Sequence, residues 1–142
     1  MATIAHQWLV AWIARKMTSD GYIVAGFDGP TPHGWVWNAR PRPTILENVR
    51  PDIWAMEGQR GEVAVGEAKL FDDIDTRHTR EQLRVFGHLR ERRALRRCQL
   101  YLAVPRSGVF ELDRVLRHVG MLGAEHVKRL HVPDCFLKDT FK

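Results

Sequence analysis

The N-terminal part of the chain has a helical pattern of apolar residues. Between residue 4 and roughly residue 17, apolar side chains recur three or four positions apart, at Ile4, Trp8, Leu9, Trp12, Ile13 and Met17. This spacing predicts a helix with one buried stripe. Thr18-Ser19-Asp20-Gly21 is typical of a helix end, and the run 22–27 predicts a short strand.

The next segment, residues 28–48, shows no sustained periodicity. It combines glycines, prolines, two tryptophans and basic groups, and predicts an irregular hairpin around Trp35-Val36-Trp37 or a long loop. Long loops inside compact domains are more often functional than idle. The runs 51–56 and 62–70 then predict two strands joined by a turn at 57–61.

Helical spacing returns at Leu83, Phe86 and Leu89, and predicts a helix over 75–93. The acids Asp72, Asp73 and Asp75 precede it. Acids near a helix start offset the positive end of its dipole, and Asp75 with Thr76 is the expected cap.

The C-terminal part predicts one more helix between two strands. The compact apolar run 99–104 is typical of a central strand, and Val127–Val132 is the expected last strand. A helix over 110–122 would bury a stripe of Leu112, Val115, Leu116 and Val119. The predicted order is α-β-β-β-α-β-α-β, an α/β fold with a mixed central sheet flanked by helices. We expect a single domain over 1–142.

Composition places the chain among globular proteins. Hydrophobic residues make up 44% and charged residues 27%, which disfavours disorder. No apolar stretch approaches the roughly 20 residues needed to cross a bilayer, and the N-terminus has no signal-peptide pattern. These features predict a cytoplasmic protein with no membrane contact. Cys98 and Cys135 lack metal-ligand spacing, so we expect two reduced, buried thiols.

Candidate chemistry lies on the two strands joined by the turn. Glu67 and Lys69 are two residues apart on a strand, so both side chains leave the same face. Asp52 lies on the partner strand, where its carboxylate can converge with that of Glu67. Adjacent carboxylates repel unless a cation lies between them, and oxygen ligands suit Mg²⁺ or Mn²⁺. A lysine beside the metal can orient water and stabilise charge on a phosphate.

These residues resemble the PD-(D/E)xK nuclease superfamily, whose fold is restriction-endonuclease-like. The resemblance rests on Arg50-Pro51-Asp52-Ile53-Trp54-Ala55 and Val65-Gly66-Glu67-Ala68-Lys69, followed by a helix with Glu81-Gln82-Leu83. The order of elements over roughly residues 1–105 is most similar to archaeal-type Holliday junction resolvases and to small phage or restriction-type nucleases.

The resemblance implies roles for individual residues. Asp52 and Glu67 would bind the metal together with the backbone carbonyl of Ala68, Lys69 would assist the attacking water, and Gln82 would support the site. Resolvases of this type also carry a glutamate on the first helix, yet residues 1–17 contain no acid. His6 could take its place, because related RecB-like nucleases use a first-helix histidine as a ligand.

Simpler interpretations stand beside these roles. Gln82 could be a solvent-facing helix residue, and His6 a polar residue at a helix start. His78 and Thr79 could share the site-facing side of the helix with Gln82 or lie on the surface. A Glu-x-Lys triplet alone is common by chance.

The positive charge favours an anionic partner. The net charge is +5, supplied mostly by arginine, whose guanidinium matches phosphate geometry. Arg40, Arg42 and Arg50 are expected to contact DNA phosphates, with Arg77 and Arg80 on the following helix. Trp35 and Trp37 could stack on unpaired bases. Trp8 and Trp12 are expected in the core or on a dimer face.

The sequence therefore predicts a Mg²⁺- or Mn²⁺-dependent DNA endonuclease that hydrolyses phosphodiester bonds. It would act as a homodimer, since so small a chain offers little surface for enclosing DNA. An exonuclease or restriction-type nuclease is an alternative. A nucleic-acid-binding module on the same fold that cleaves nothing is another, and Arg77 filling the site would favour it.

Overall fold

The computed structural model describes residues 3–27, 49–91 and 96–137. Its helices and strands are, in chain order, α1 (Ile4–Ser19), β1 (Tyr22–Phe27), β2 (Ile53–Glu57), β3 (Val63–Ala68), α2 (Phe71–Ile74), α3 (Arg77–Gly87), β4 (Gln99–Pro105), α4 (Val109–His118) and β5 (Val127–Val132). Two short 3₁₀ helices follow β4 and β5, at Arg106–Gly108 and Asp134–Leu137.

The five strands form one mixed sheet in the order β1-β2-β3-β4-β5. Antiparallel pairs join β1 to β2 and β2 to β3, whereas β3, β4 and β5 run parallel. Because these three strands are parallel, the chain leaves all of them at the same edge of the sheet, here called the carboxyl edge. The predicted α/β class, with a mixed sheet flanked by helices, is confirmed.

Helices cover both faces of this sheet. On one face α1 packs its stripe of Leu9, Ile13 and Met17 into a core with β1 to β4. On the other face α2, α3 and α4 bury a second core that includes Phe86 and Leu116. Trp8 and Trp12 are half-buried against the first core, as expected of core residues.

A glycine sets how closely α1 approaches the sheet. A Cβ atom at Gly66 in β3 would lie 2.7 Å from Ile13 Cγ2 of α1 and 2.6 Å from Ile53 Cγ2 of β2. Real Cβ atoms do not tolerate such distances, and both neighbours are buried β-branched side chains with little freedom to move. Only glycine therefore permits the observed packing of α1 on β3.

Gly66→Ala should lower the free energy of unfolding by about 1–3 kcal/mol, because the added methyl overpacks the core. Urea unfolding followed by circular dichroism measures the change. Gly58→Ala is the matched control, since its Cβ would meet only Ile23 Cδ1 at 3.6 Å, an ordinary contact. Equal stability of the Gly66 variant and wild type would contradict this account of the α1 packing.

The single helix predicted over 75–93 is wrong. The structure has α2, then an extended Thr76, then α3, which ends at Gly87. Thr76 is the helix cap, as predicted, and its hydroxyl accepts a hydrogen bond from the Thr79 backbone N–H at 3.1 Å. Asp72 and Asp73 lie in the first turn of α2, so they do not cap the longer helix.

Other bounds shift by a few residues. Asp52 precedes β2 and Lys69 follows β3, although both were predicted inside strands. The helix predicted over 110–122 ends at His118, and α1 continues to Ser19. Cys98 is buried as predicted, but Cys135 is exposed in the second 3₁₀ helix, so that prediction is wrong. The hairpin proposed around Trp35-Val36-Trp37 lies outside the described residues.

Candidate active site at the carboxyl edge

The predicted catalytic residues meet where β3 reaches the carboxyl edge. The backbone N–H of Asp52 donates to the Gly66 carbonyl at 3.0 Å, which continues the β2–β3 pairing beyond Ile53. This bond places the Asp52 side chain beside the last residues of β3. The Lys69 N–H donates to the Ala103 carbonyl of β4 at 3.0 Å and fixes the chain where β3 ends.

Asp52 is held by the backbone of β3. Its carboxylate oxygen Oδ2 accepts a hydrogen bond from the Ala68 N–H at 2.8 Å, and its own N–H donates to Glu67 Oε2 at 3.2 Å. Only 8% of the residue is exposed. The carboxylate is therefore fixed in position, as a metal ligand or a catalytic group must be.

Glu67 is the most buried charged residue of the site, at 3% exposure. Its Oε1 lies 3.4 Å from Lys69 Nζ and accepts a hydrogen bond from Gln82 Nε2 at 3.4 Å. Burial, followed by the nearby charge of Asp52, raises the pKa of Glu67 well above its usual value, although Lys69 opposes the shift. Such a carboxylate needs positive charge beside it in order to ionise.

Gln82 reaches the site from α3, where it is buried. Its amide nitrogen is the donor to Glu67, while its Oε1 is buried with no hydrogen-bond partner among the described residues. The solvent-facing interpretation of Gln82 is therefore wrong. Of its predicted companions, Thr79 is buried but donates its hydroxyl to the Asp73 carbonyl, and His78 is exposed.

His6 reaches the site from the first turn of α1. Thr3 caps this helix by accepting a hydrogen bond from the His6 N–H at 3.1 Å. The His6 Nε2 atom lies 3.2 Å from Asp52 Oδ2 and 3.2 Å from the Ala68 carbonyl oxygen. Burial lowers the pKa of His6. The hydrogen bond to Asp52, the charge of Asp52 and the Ala68 carbonyl raise it by more than burial lowers it, so the pKa lies above its usual value.

The donor atoms suit a hard divalent cation. Neighbouring ligands of an octahedral ion bound at about 2.1 Å are about 3 Å apart. The 3.2 Å separations of His6 Nε2 from Asp52 Oδ2 and from the Ala68 oxygen are close to that spacing. Within 3–27, 49–91 and 96–137, no three His, Cys, Asp or Glu side chains are arranged as a metal-binding group. The donors in mutual contact here are two such side chains, His6 and Asp52, and the Ala68 backbone oxygen.

Two of the predicted arginines pair with acids outside this cluster. Arg77 is exposed on α3 and its Nε donates to Glu81 Oε1 at 3.2 Å, so it does not fill the site. Arg80 forms an ion pair with Asp75 at 3.0 Å. Arg50 is half-buried, two residues before Asp52. Arg40 and Arg42, like Trp35 and Trp37, lie outside the described residues.

One contact, between α4 and the segment that joins α2 to α3, does not follow from the sequence. Arg114 of α4 donates to Asp75 Oδ2 at 3.1 Å, and Arg80 donates to Asp75 Oδ1 at 3.0 Å. Arg114 is 39 residues from Asp75, and no spacing rule connects residues that far apart. The one available signal is the periodicity of α4, which places Arg114 on its polar face.

Comparison with protein-family models, with curated proteins and with solved structures found no match for this chain. Among the described residues, none of the helices has the length and apolar character required to cross a bilayer. Inference about function therefore depends on the geometry of the carboxyl edge.

Proposed function

We propose that this protein is a metal-dependent nuclease of the PD-(D/E)xK type, with a restriction-endonuclease-like fold, that hydrolyses DNA phosphodiester bonds. The observation that carries the proposal is the convergence of His6, Asp52, Glu67, Lys69 and Gln82 at one point of the carboxyl edge. These residues come from three elements, α1, β3 and α3, and from the segments just before β2 and just after β3. A solvated charged surface would not bury two carboxylates side by side.

The donor set supports Mg²⁺ or Mn²⁺ as the cofactor. Asp52, Glu67, the Ala68 carbonyl and His6 would hold the ion, with His6 in place of the first-helix glutamate of the resolvases. When bound, the ion would supply Lewis acidity and favour deprotonation of the attacking water. Hydrogen bonds fix two of these donors, since Asp52 accepts from the Ala68 N–H and Glu67 accepts from the Asp52 N–H. His6 would bind the ion through an Nε2 atom that carries no proton, in place of its hydrogen bond to Asp52.

Lys69 is the residue suited to the reacting groups. Its side chain is 15% exposed and its Nζ lies 3.4 Å from Glu67 Oε1, so we infer that its ammonium is within reach of a substrate at the carboxyl edge. There it orients the attacking water and stabilises the charge that develops on the phosphate oxygens. The water oxygen bonds to phosphorus and releases a proton to solvent, while the bond to the leaving sugar oxygen breaks and that oxygen takes up a proton from solvent.

Gln82 supports the arrangement from α3. Its N–H donates to Glu67 and restricts the rotation of that carboxylate, and its Oε1 is available to a water in the site. We place Arg50, Arg77 and Arg80 among the phosphate contacts, and we infer a homodimer because one small chain cannot enclose a duplex or a junction.

Cleavage of labelled DNA tests the proposal. Linear duplex, single-stranded, flapped and four-way-junction substrates are incubated with Mg²⁺, Mn²⁺ or EDTA. We expect cutting with either metal, none with EDTA, and none by Asp52→Asn. Glu81→Gln serves as the control, because Glu81 is an exposed acid next to Gln82 in sequence. Tight DNA binding without cutting in either metal would refute the catalytic proposal and favour the binding-module alternative.

A further inference from the structure

The exposed face of α4 carries an aromatic residue followed by a series of cations. Phe110, Arg114, Arg117 and His118 are spaced at i, i+4, i+7 and i+8, so they lie on one side of the helix. All four are exposed, and Phe110 is 79% exposed, the highest fraction among the large hydrophobic residues of the described ranges. So exposed a ring buries little of its surface in this fold, and its face is open to a ligand.

The start of α4 lies at the same edge as the candidate active site. The 3₁₀ helix Arg106–Gly108 leaves β4 at the carboxyl edge, and α4 then returns toward the start of β5. Phe71, two residues after Lys69, lies beside this point, because a Cβ on Gly108 would be 3.8 Å from its ring. Phe71 is 46% exposed. Two exposed rings therefore flank the route from the site to α4.

The C-terminal half of α4 forms one wall of an open, positively charged cleft. The cleft is lined by Asp75, Arg80, Arg114, Arg117 and His118. Asp75 accepts one hydrogen bond from Arg80 and one from Arg114. Three guanidinium groups face one carboxylate, which leaves a net charge of about +2 from these groups. Each guanidinium has five N–H donors, so the bonds to Asp75 leave donors for an anion.

We propose that this surface, the α4 track formed by Phe71, Phe110, Arg80, Arg114 and Arg117, binds an unpaired DNA strand that leads into the active site. The inference rests on the proposed function and specifies its substrate class. The cleft provides charge for phosphates, and the rings at its site end provide faces for bases. Bases expose their faces only when they are unpaired, whereas a duplex offers phosphates alone to such a surface.

Charge decides against a second copy of this chain as the occupant. Two copies related by a two-fold axis through this face would bring the same arginines together. The cores of protein interfaces are also depleted in charged residues, whereas guanidinium groups alternating with aromatic rings are typical of surfaces that bind single strands. An anionic polymer with exposed ring faces satisfies both features of the track.

Binding measurements separate this inference from catalysis. The full-length Asp52→Asn protein is titrated into a fluorescent single strand of 20 nucleotides and into the duplex of the same sequence. Adding Phe110→Ala should weaken single-strand binding by roughly 5- to 30-fold and change duplex binding by less than about twofold. Phe110→Trp should restore single-strand affinity. Leu122→Ala, in an exposed residue beyond the far end of α4, should have no effect.

Each outcome bears on the inference. Equal losses on both DNA forms, or no loss with Phe110→Ala, would overturn it even if the wild-type protein cuts DNA. No binding to single-stranded DNA by the starting protein would overturn it as well. Selective loss in a protein that never cuts would support the track while the proposed nuclease function failed. Arg117→Gln should lower the slope of log Kd against log salt concentration by the equivalent of about one phosphate contact. An unchanged slope would exclude Arg117 from the track.

Discussion

Replacing Lys69 with methionine should slow DNA cleavage by about 10²–10³-fold while DNA binding stays within about threefold of wild type. Methionine keeps the length and the buried stem of the side chain but removes the ammonium. That ammonium lies 3.4 Å from Glu67 and is the cation that faces the carboxylate pair in the site. Single-turnover cleavage in saturating Mg²⁺ measures the chemical step, and fluorescence anisotropy in EDTA measures binding.

Lys16→Met is the matched control for this experiment. Lys16 lies in the last turn of α1 and forms an exposed ion pair with Asp20 at 2.8 Å, so its loss should leave cleavage unchanged. Lys69→Arg should restore little activity, since a planar guanidinium cannot replace a compact ammonium in a tight site. A Lys69→Met protein that cleaves within about fivefold of wild type would remove Lys69 from the mechanism.

The part of the site that could be predicted from sequence is the part determined locally. Asp52, Glu67 and Lys69 lie on one hairpin, where strand alternation and a short turn determine which side chains meet. The role of Gln82 followed from the family resemblance, because its position in the chain was equally compatible with a solvent-facing helix residue. The bounds of β2 and β3 differ from the predicted ones, but the positions of Asp52 and Lys69 in the site do not depend on this difference. Backbone hydrogen bonds continue the pairing of the strands to both residues.

The division between α2 and α3 could not be read from the periodicity. Apolar spacing from Leu83 onward does not show that Thr76 is extended, or that the Thr79 hydroxyl binds the Asp73 carbonyl. The close packing of α3 is also invisible in the periodicity, since a Cβ at Gly87 would collide with the sulfur of Met121. Tertiary contacts of this kind override local propensity.

His6 shows a second limit of sequence reasoning. Its place in the site depends on how α1 lies across the sheet, and that position is set by the contact of Ile13 and Ile53 with Gly66. The sequence identified a histidine on the correct helix but contained no information on the distance to Asp52. The arginine cleft between α3 and α4 was missed for the same reason, since it joins residues far apart in the chain.

Replacing Glu67 with glutamine should abolish cleavage and at the same time stabilise the protein. Glu67 is 3% exposed and lies beside Asp52, so its ionised form is opposed by burial and by like charge. Glutamine has the same shape without the charge. The buried Oε1 of Gln82, which has no partner in the described residues, can accept from the new amide once the Gln82 amide turns over. Functional groups of this kind commonly lower the stability of the folded protein, so replacing one of them commonly raises it.

The expected gain in the free energy of unfolding is about 1–2 kcal/mol at pH 8 without metal. The folded-state pKa of Glu67 is raised well above its ordinary value of 4.5. The free energy of unfolding of the wild type therefore falls as the pH rises from about 4.5 through the raised pKa. Glutamine does not titrate, so the advantage of the variant should vanish near pH 4 and grow toward pH 8. Urea unfolding at several pH values measures it.

Two comparisons make this prediction specific. Mg²⁺ should raise the melting temperature of wild type but not of Glu67→Gln, because only the wild type keeps the full donor set. Glu57→Gln is the control for the charge change. Backbone N–H groups of Gln59 and Arg60 lower the pKa of Glu57, so its replacement should give no gain at pH 8. A Glu67→Gln protein that is less stable than wild type at pH 8 would show that the Lys69 and Gln82 contacts outweigh the cost of burying the carboxylate.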